Sequence, residues 1–567
     1  MSGRDLVLGA VLLVVLSVFP VAWNLGGPPV TDLMEVRNLV TAREMVDTGR
    51  WLIPTMNGAL RVEKPPLPTW VAAAAGIAGD FRNLWAMRAP TVLMGILGAL
   101  AVAVYTRRLG ASPVAALAAG LVLVSMFLYA RHARQATWDV PTHAFAMAGI
   151  AAFVEAGRRR GPAFAVLSAL FLSASFLSKG PVAFGVIVLP WAVSAAIWDP
   201  SLLHARRSHI AIVLVLTAIG SVAWPLYVFA HEPGHAVAVA LREADAWVNR
   251  HARPVWSYSG FPVFAGAWIP AALAVLASPI FFREFFSRRD VRAAFAWLWL
   301  SLLVVSLVPA KKERYLIPVL FPLAILIALW WDREGRRARS SATRVLRAQF
   351  WFAGTAGAAA VCAVPVLFVL GKISRAEGLV AIGLVTAGMA GFVSVGRSRW
   401  ALPVRAFVGT LTVAFGVMSA GWHMQDRFEK ARVPPIGLQD VVRHDGLLHA
   451  PFFASHPDDL FLVWTVGRPL LPVPGSRDRL MELAAKAAAS APSPPADPSA
   501  GLTDIRAGWI SDVPPDAEPV LGALRSQNVT VLVDSVSTWP TGQDRKLFYY
   551  SRVRFLTVRP AVTAPRQ

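Results

Sequence analysis

Long apolar runs separated by short polar ones dominate the chain. Runs near 20 residues recur from residue 6 to residue 421, the length an α-helix needs to cross about 30 Å of hydrocarbon. They predict spans near 6–24, 85–106, 113–130, 139–156, 162–178, 181–198, 209–230, 262–282, 293–309, 314–331, 349–370, 377–395 and 401–421. A transmembrane β-barrel would instead show short alternating segments. Two stretches between the first two spans have helical character but are too short to cross. Residues 66–80 are apolar, start beside Pro65-Pro66 and end at Gly79-Asp80, which predicts a helix lying in the outer interface. Residues 36–48 split Val36, Leu39 and Val40 from Glu44 and Asp47, which predicts a second such helix. Residues 26–84 are therefore expected to form an external loop with interfacial helices. Residues 5–24 are too long for a signal-peptide core and lack a small-x-small site, so they are expected to remain as the first span.

The pattern changes after Trp422. Residues 423–567 are polar and proline-rich, with no run long enough to span. Leu460–Trp464, Val529–Val533 and Leu547–Leu556 read as strands, Arg479–Ala488 as a helix and Ser490–Gly501 as a loop. The expected architecture is an all-α polytopic membrane domain over 1–422, followed by a soluble α/β domain over 423–567.

Composition agrees. The 567 residues are 56% hydrophobic and 16% charged, with mean hydropathy +0.52, whereas soluble domains carry roughly 25% charged residues. The net charge of +21 raises the question of nucleic acid, but no compact basic domain or nucleic-acid motif is present. The arginines instead fall in short loops. With the N-terminus inside, Arg107-Arg108, Arg158-Arg159-Arg160, Arg206-Arg207, Arg283 to Arg292, Arg333 to Arg347, and Arg397 with Arg399 all lie on the cytoplasmic side. That register leaves residues 26–84 and the C-terminal domain outside. The single cysteine, Cys362, sits in an apolar run and has no metal-ligand spacing.

The same register gathers Asp32, Glu35, Glu63, Lys64, Arg131, Arg134, Asp139, Lys179, Arg250, His251, Lys311, Lys312 and Arg314 on one face. Basic side chains at helix ends snorkel without needing a function. Asp139, opening a span in Trp138-Asp139-Val140-Pro141, is harder to dismiss, because an acid at membrane depth usually has a partner and faces a cavity.

Several strings in this layer resemble the lipid-linked-sugar glycosyltransferases of the GT-C class, nearest to the aminoarabinose-transferase and protein-mannosyltransferase-like family. They are Thr41-Ala42-Arg43-Glu44-Met45, Gly49-Arg50-Trp51, Asn57-Gly58, Glu63-Lys64-Pro65-Pro66-Leu67, Asp139-x-Pro141, Ser178-Lys179-Gly180-Pro181 and Lys312-x-Arg314-Tyr315-x-x-Pro318. The likeness covers roughly residues 5–330. It implies an enzyme that transfers a sugar from a polyprenyl-phosphate donor to a lipid, glycan or protein acceptor outside the cytoplasm. Cations would stabilise the lipid-phosphate leaving group, with Lys64, Lys179, Lys312, Arg314 and Arg131 as candidates. A carboxylate would activate the acceptor, with Glu35, Asp32 and Asp139 as candidates. The family's first motif is an Asp-Glu pair, which falls without gaps on Met34-Glu35, so either Glu35 takes the role, or Asp32 reaches in from a shifted loop, or the chemistry is lost. The family can hold a divalent metal (Zn, Mg or Mn), for which Glu63 and His251 are the candidate ligands, with His231 and His235 as alternatives to His251. A lipid transporter or flippase, or an inactive glycan-binding relative, are the competing classes; the outer-face clustering and the missing inverted repeat oppose the former.

Overall fold

The computed structural model describes residues 3–159, 161–249, 252–335, 337, 340–430, 452–476, 478–482, 502–511, 514, 518–527, 529–541 and 546–558. These divide into two compact units. The first comprises Met1–Gly27, Arg50–Pro54 and Arg61–Gln425; the second comprises Pro28–Gly49, Thr55–Leu60 and Asp426–Gln567.

In the first unit every expected span falls on helix, and the chain is a multi-pass membrane protein. Among the described residues, eight helices are long and apolar enough to cross a membrane, from Leu84–Arg108 to Leu402–Gln425. Others are shorter or broken. The run expected at 113–130 is two helices, Pro113–Ser125 and Phe127–Ala133, bent by 71°. The break has a local cause: Met126 is extended, with φ −72 and ψ 126. The Ser125 hydroxyl donates to the Leu121 carbonyl at 2.6 Å and accepts from the Trp268 indole at 2.8 Å. The span expected at 181–198 opens with a π-helical turn, Phe184–Val188. The one expected at 262–282 ends at Leu276 and kinks at Gly266, whose φ of +61 suits glycine.

Glu313–Arg333 is the most enclosed span. Every residue from Ile317 to Trp331 is buried, as expected of a helix apolar on all faces. Its N-terminal end therefore presents Arg314 and Tyr315 from the middle of the bundle. Asp139–Arg158 packs beside Ala163–Lys179, where Ser168 and Ser175 donate to the carbonyls of Gly149 and Thr142, each at 2.8 Å. Small residues allow that close approach. Leu67–Gly79 forms the helix expected at 66–80. Pro233–Asn249 is a further amphipathic helix, in a segment expected only to be external.

The second unit is built on a five-stranded sheet. Its order is Leu471–Pro472, Phe452–Ala454, Leu502–Ser511, Lys546–Val558, Thr530–Thr541. The first two pairings are parallel and the last two antiparallel. Phe453, Trp509, Val553 and Phe555 form its core with Leu521 and Leu524 of helix Pro519–Ser526. The strands expected at 529–533 and 547–556 are present and longer. Leu460–Trp464 is not a strand but part of helix Leu460–Val466. The Asp459 carboxylate caps it, accepting from Phe461 N at 2.9 Å, and Gly467 ends it with φ 90. Residues 478–482 are helical; the rest of the helix expected at 479–488, and the loop expected at 490–501, lie outside the described residues.

Helix Leu33–Thr48 belongs to this second unit. It does not have the one buried face of an interfacial helix: Glu35, Asn38, Arg43 and Glu44 are buried along with its apolar residues. Arg43 and Glu44 are consumed by a network of hydrogen bonds. Thr55–Met56 and Ala59–Leu60 form a hairpin around Asn57-Gly58, whose φ values of 53 and 77 fit the asparagine-glycine turn. The Glu44 carboxylate accepts from Thr55 Oγ1 at 2.9 Å, Asn57 N at 2.5 Å and Gly58 N at 3.1 Å. Asn57 donates to the Pro457 carbonyl and accepts from Leu470 N, at 3.0 and 3.2 Å. Arg43 donates to the carbonyls of Val463 and Trp464, at 3.0 and 3.2 Å, and lies over the Trp464 ring. A cation thus caps the C-terminus of helix Leu460–Val466. Burial pushes the Arg43 guanidinium down to about 10, opposed by Asp47 and Glu44.

Candidate active site

Three helix ends bring charge together in the first unit. Asp139 is the first residue of its helix, where the macrodipole favours an anion, and Lys179 is the last of its own, where it favours a cation. Arg314 opens the central span, the unfavourable end for a cation. Asp139 compensates by pairing with both: Lys179 bonds one carboxylate oxygen and the Arg314 Nε lies 3.7 Å from the other. Asp139 is 2% exposed, Lys179 14% and Arg314 13%. Lys179 also sits 5.5 Å from the centroid of the Tyr315 ring. A carboxylate held between two cations orients them and is poorly placed to take a proton. The geometry therefore makes Asp139 a positioning group for two cations.

The Glu63-Lys64 motif meets a complementary pair on helix Pro233–Asn249. Lys64 bonds Glu243 at 2.6 Å, and Arg242 bonds Glu63 at 2.9 Å. Burial pushes the Lys64 ammonium below its ordinary value, opposed by Glu243. The contact is backed by Val62 packing with Trp224, Val228 and Val239.

Lys312 is fixed through its backbone. Its N–H donates to the Tyr258 hydroxyl, which donates to the Lys312 carbonyl, each at 2.9 Å. Lys311, in the same loop, serves the structure: its ammonium caps the carbonyls of Ser306 and Val308 at the end of helix Arg289–Leu307. Arg131 faces Glu313 at 3.7 Å with both side chains exposed, a contact worth about 0–1 kcal/mol.

Asp32 and Glu35 lie in the second unit. Asp32 Oδ1 is the N-cap of helix Leu33–Thr48, accepting from Met34 N at 2.7 Å and Glu35 N at 3.2 Å. Glu35, in the first turn, is 1% exposed.

For a metal, Glu63 supplies one buried oxygen, Oε2, without a hydrogen bond, while Oε1 is on Arg242. His251 lies outside the described residues. Among the described residues no group of three or more His, Cys, Asp or Glu converges on a metal position, and the Arg242 guanidinium opposes a cation beside Glu63. The chemistry proposed for the site does not depend on a metal.

Sequence reasoning missed Arg61, Glu243 and Tyr258. Arg61 is buried, two residues before Glu63, with its guanidinium 5.3 Å from the Trp138 ring centroid. Arg242-Glu243 carries the reversed charges of Glu63-Lys64, a signal present in the sequence. Tyr258 left none, because it acts through backbone groups 54 residues away.

The sequence profile of the dolichyl-phosphate-mannose-protein mannosyltransferases matches residues 11–234, and that of the Alg9-like mannosyltransferase family residues 250–383. An undecaprenyl phosphate-alpha-4-amino-4-deoxy-L-arabinose arabinosyl transferase of Pseudomonas fluorescens is 29% identical over 309 residues, covering 52% of this chain and 51% of that protein. Its namesake in Pseudomonas aeruginosa is 26% identical over 407 residues, covering 67% of this chain and 69% of that protein. The chain spans about half the length of the curated relatives it first matches. The crystal structure of ArnT from Cupriavidus metallidurans bound to undecaprenyl phosphate superposes with TM-score 0.68 at 19% identity, covering 100% of both chains. The apo structure gives 0.68 at 20% identity, covering 98% of this chain and 99% of that one. At this identity the likeness establishes a shared fold.

Proposed function

We propose that this chain is a glycosyltransferase of the GT-C class, as its likeness to those proteins supports, and that it moves a sugar from a polyprenyl-phosphate donor to a lipid, glycan or protein hydroxyl. The observation that carries the reading is the meeting of Asp139, Lys179 and Arg314 at three helix ends. In the reaction the bond from the anomeric carbon to the phosphate oxygen breaks and polyprenyl phosphate leaves with the electron pair. Lys179 and Arg314, preset by Asp139, meet the charge that grows on that phosphate. Lys64 adds a third cation when phosphate displaces Glu243, and Arg131 and Lys312 are further candidates to meet the phosphate. The acceptor oxygen attacks the anomeric carbon and gives up its proton to a carboxylate. Glu35, the acid that falls on the family's first motif, is the candidate for that role in the sequence. The names of the relatives, which specify undecaprenyl phosphate and 4-amino-4-deoxy-L-arabinose, make that compound the first donor to try. The distribution of arginine among the short loops supports an extracytoplasmic site in a cell or inner membrane.

The test is transfer of radiolabelled sugar from polyprenyl-phosphate donors by purified protein in lipid. Wild type is run beside Lys179→Met and Glu35→Gln. Transfer by wild type, a loss of about 10²-fold or more in each variant, and weakened donor binding in Lys179→Met alone are expected. A wild-type protein that binds donor and transfers nothing would move the chain to the glycan-binding relatives.

A further inference from the structure

Polar atoms buried without hydrogen-bond partners are rare in folded proteins, and each costs about 1–3 kcal/mol. Four of them fall on one short segment of the first unit. Gln135 Oε1, Thr137 Oγ1, Trp138 Nε1 and His143 Nδ1 are all buried without a hydrogen bond. They fall within nine residues of chain and flank Asp139. Thr137, Trp138 and His143 are 1%, 2% and 2% exposed. His143 lies four residues beyond Asp139 on one helix, and so on the same side of it. The backbone of the segment does not share this defect: Thr137 N bonds the Gln135 carbonyl at 2.7 Å, and Thr142 N the Trp138 carbonyl at 3.2 Å.

The chemistry of these groups differs from that of the neighbouring phosphate cations. A hydroxyl, an indole N–H, an amide oxygen and an imidazole offer both donors and acceptors. Two of them are donors that no carboxylate has claimed. Arg61 lies over the Trp138 ring, which joins this set to the Glu63-Lys64 loop. Mixed donors and acceptors beside an aromatic ring suit hydroxyl groups on a compact apolar frame, as in a pyranose.

We propose that Gln135, Thr137, Trp138 and His143 form the subsite for the sugar of the lipid-linked donor, next to the cations that hold its phosphate. The inference rests on the proposed transfer function and deepens it. It requires that the unsatisfied groups be spent on the sugar and not on the lipid phosphate.

The decisive variant is Thr137→Val, which keeps the shape and removes the hydroxyl, with Trp138→Phe as the second. Binding is measured for two probes, undecaprenyl phosphate and undecaprenyl phosphate carrying 4-amino-4-deoxy-L-arabinose or mannose, whichever the wild type binds more tightly. Melting of the ligand-free protein is followed in parallel. Thr137→Val is expected to bind the sugar-free probe within twofold of wild type. It should bind the sugar-bearing probe about 5–10-fold more weakly, and should melt at a higher temperature, since it sheds a buried unsatisfied group. Trp138→Phe should show the same selective loss on the sugar-bearing probe. Equal loss on both probes would mean a structural role and would overturn the proposal. No loss on either would mean that the groups face only ordered water, and would overturn it as well. A wild type that binds neither probe would instead sink the functional reading on which the proposal stands.

Discussion

Replacing Asp139 by asparagine keeps the shape of the charge cluster and removes the anion that holds it. Two unit charges about 4 Å apart attract by roughly 4 kcal/mol at an effective dielectric constant near 20. With two cations the gross attraction is about twice that, and it is offset by several kcal/mol of desolvation per buried ion. The net worth of the intact cluster is therefore small. Removing only the anion is different, because Lys179 and Arg314 stay 14% and 13% exposed with like charges and lose the carboxylate they share. A loss of about 3–5 kcal/mol is expected for one-sided removal of a buried partner. Lys179→Met should cost less, since Arg314 still faces Asp139. The double variant Asp139→Asn with Lys179→Met should cost less than the sum of the two, with a coupling of at least about 1.5 kcal/mol. Stability is read from melting in detergent and function from the transfer assay, with donor affinity measured separately. A positioning role predicts that Asp139→Asn weakens binding of undecaprenyl phosphate as well as transfer. A proton-accepting role predicts lost transfer with donor affinity intact. Additive losses, or donor affinity unchanged in Asp139→Asn, would refute the reasoning.

Other outcomes follow from the same geometry. Arg43→Ala should remove two charged hydrogen bonds to the end of helix Leu460–Val466, costing about 1.5–3 kcal/mol and raising hydrogen exchange in that helix before the rest of the sheet domain. Gly58→Ala places a Cβ at φ 77 and should cost about 1–2 kcal/mol, measurable as earlier proteolysis of the hairpin loop. Lys64 has its proton affinity lowered by burial, so between that lowered value and 10.5 the unfolded chain holds more protons than the folded one. Stability should rise with pH across that window, while affinity for undecaprenyl phosphate should fall as the ammonium is lost. Lys64→Arg should keep its donor affinity through the same window, and a parallel fall in both proteins would dismiss Lys64 as the titrating group.

Helix positions were legible because a 20-residue apolar run has one good solution in a bilayer. Breaks inside the spans were not, because the hydroxyl of Ser125 is turned toward a tryptophan 143 residues away. Leu460–Trp464 misled because a five-residue apolar run carries no period; the Asp459 cap and Gly467 stop were the better signals. In the site, Lys64, Asp139, Lys179 and Arg314 could be named from their places at span ends and in motifs. Their partners could not: Glu243 is 179 residues from Lys64, and Arg61 was hidden by the stronger motif beside it. The string from Thr41 to Met45 suggested chemistry, yet Arg43 and Glu44 are spent on holding the hairpin and helix Leu460–Val466.

Arg43 reaches the Val463 carbonyl across 420 residues of chain, and this sets an order of events during synthesis. A ribosome adding about 5–20 residues per second leaves roughly 20–80 s between the emergence of Arg43 and that of its partner. Through that interval helix Leu33–Thr48 has its arginine and its glutamate side by side with no Val463 or Trp464 to meet, while span after span is inserted behind it. Helix Leu33–Thr48 must therefore wait for a segment made some 420 residues after it.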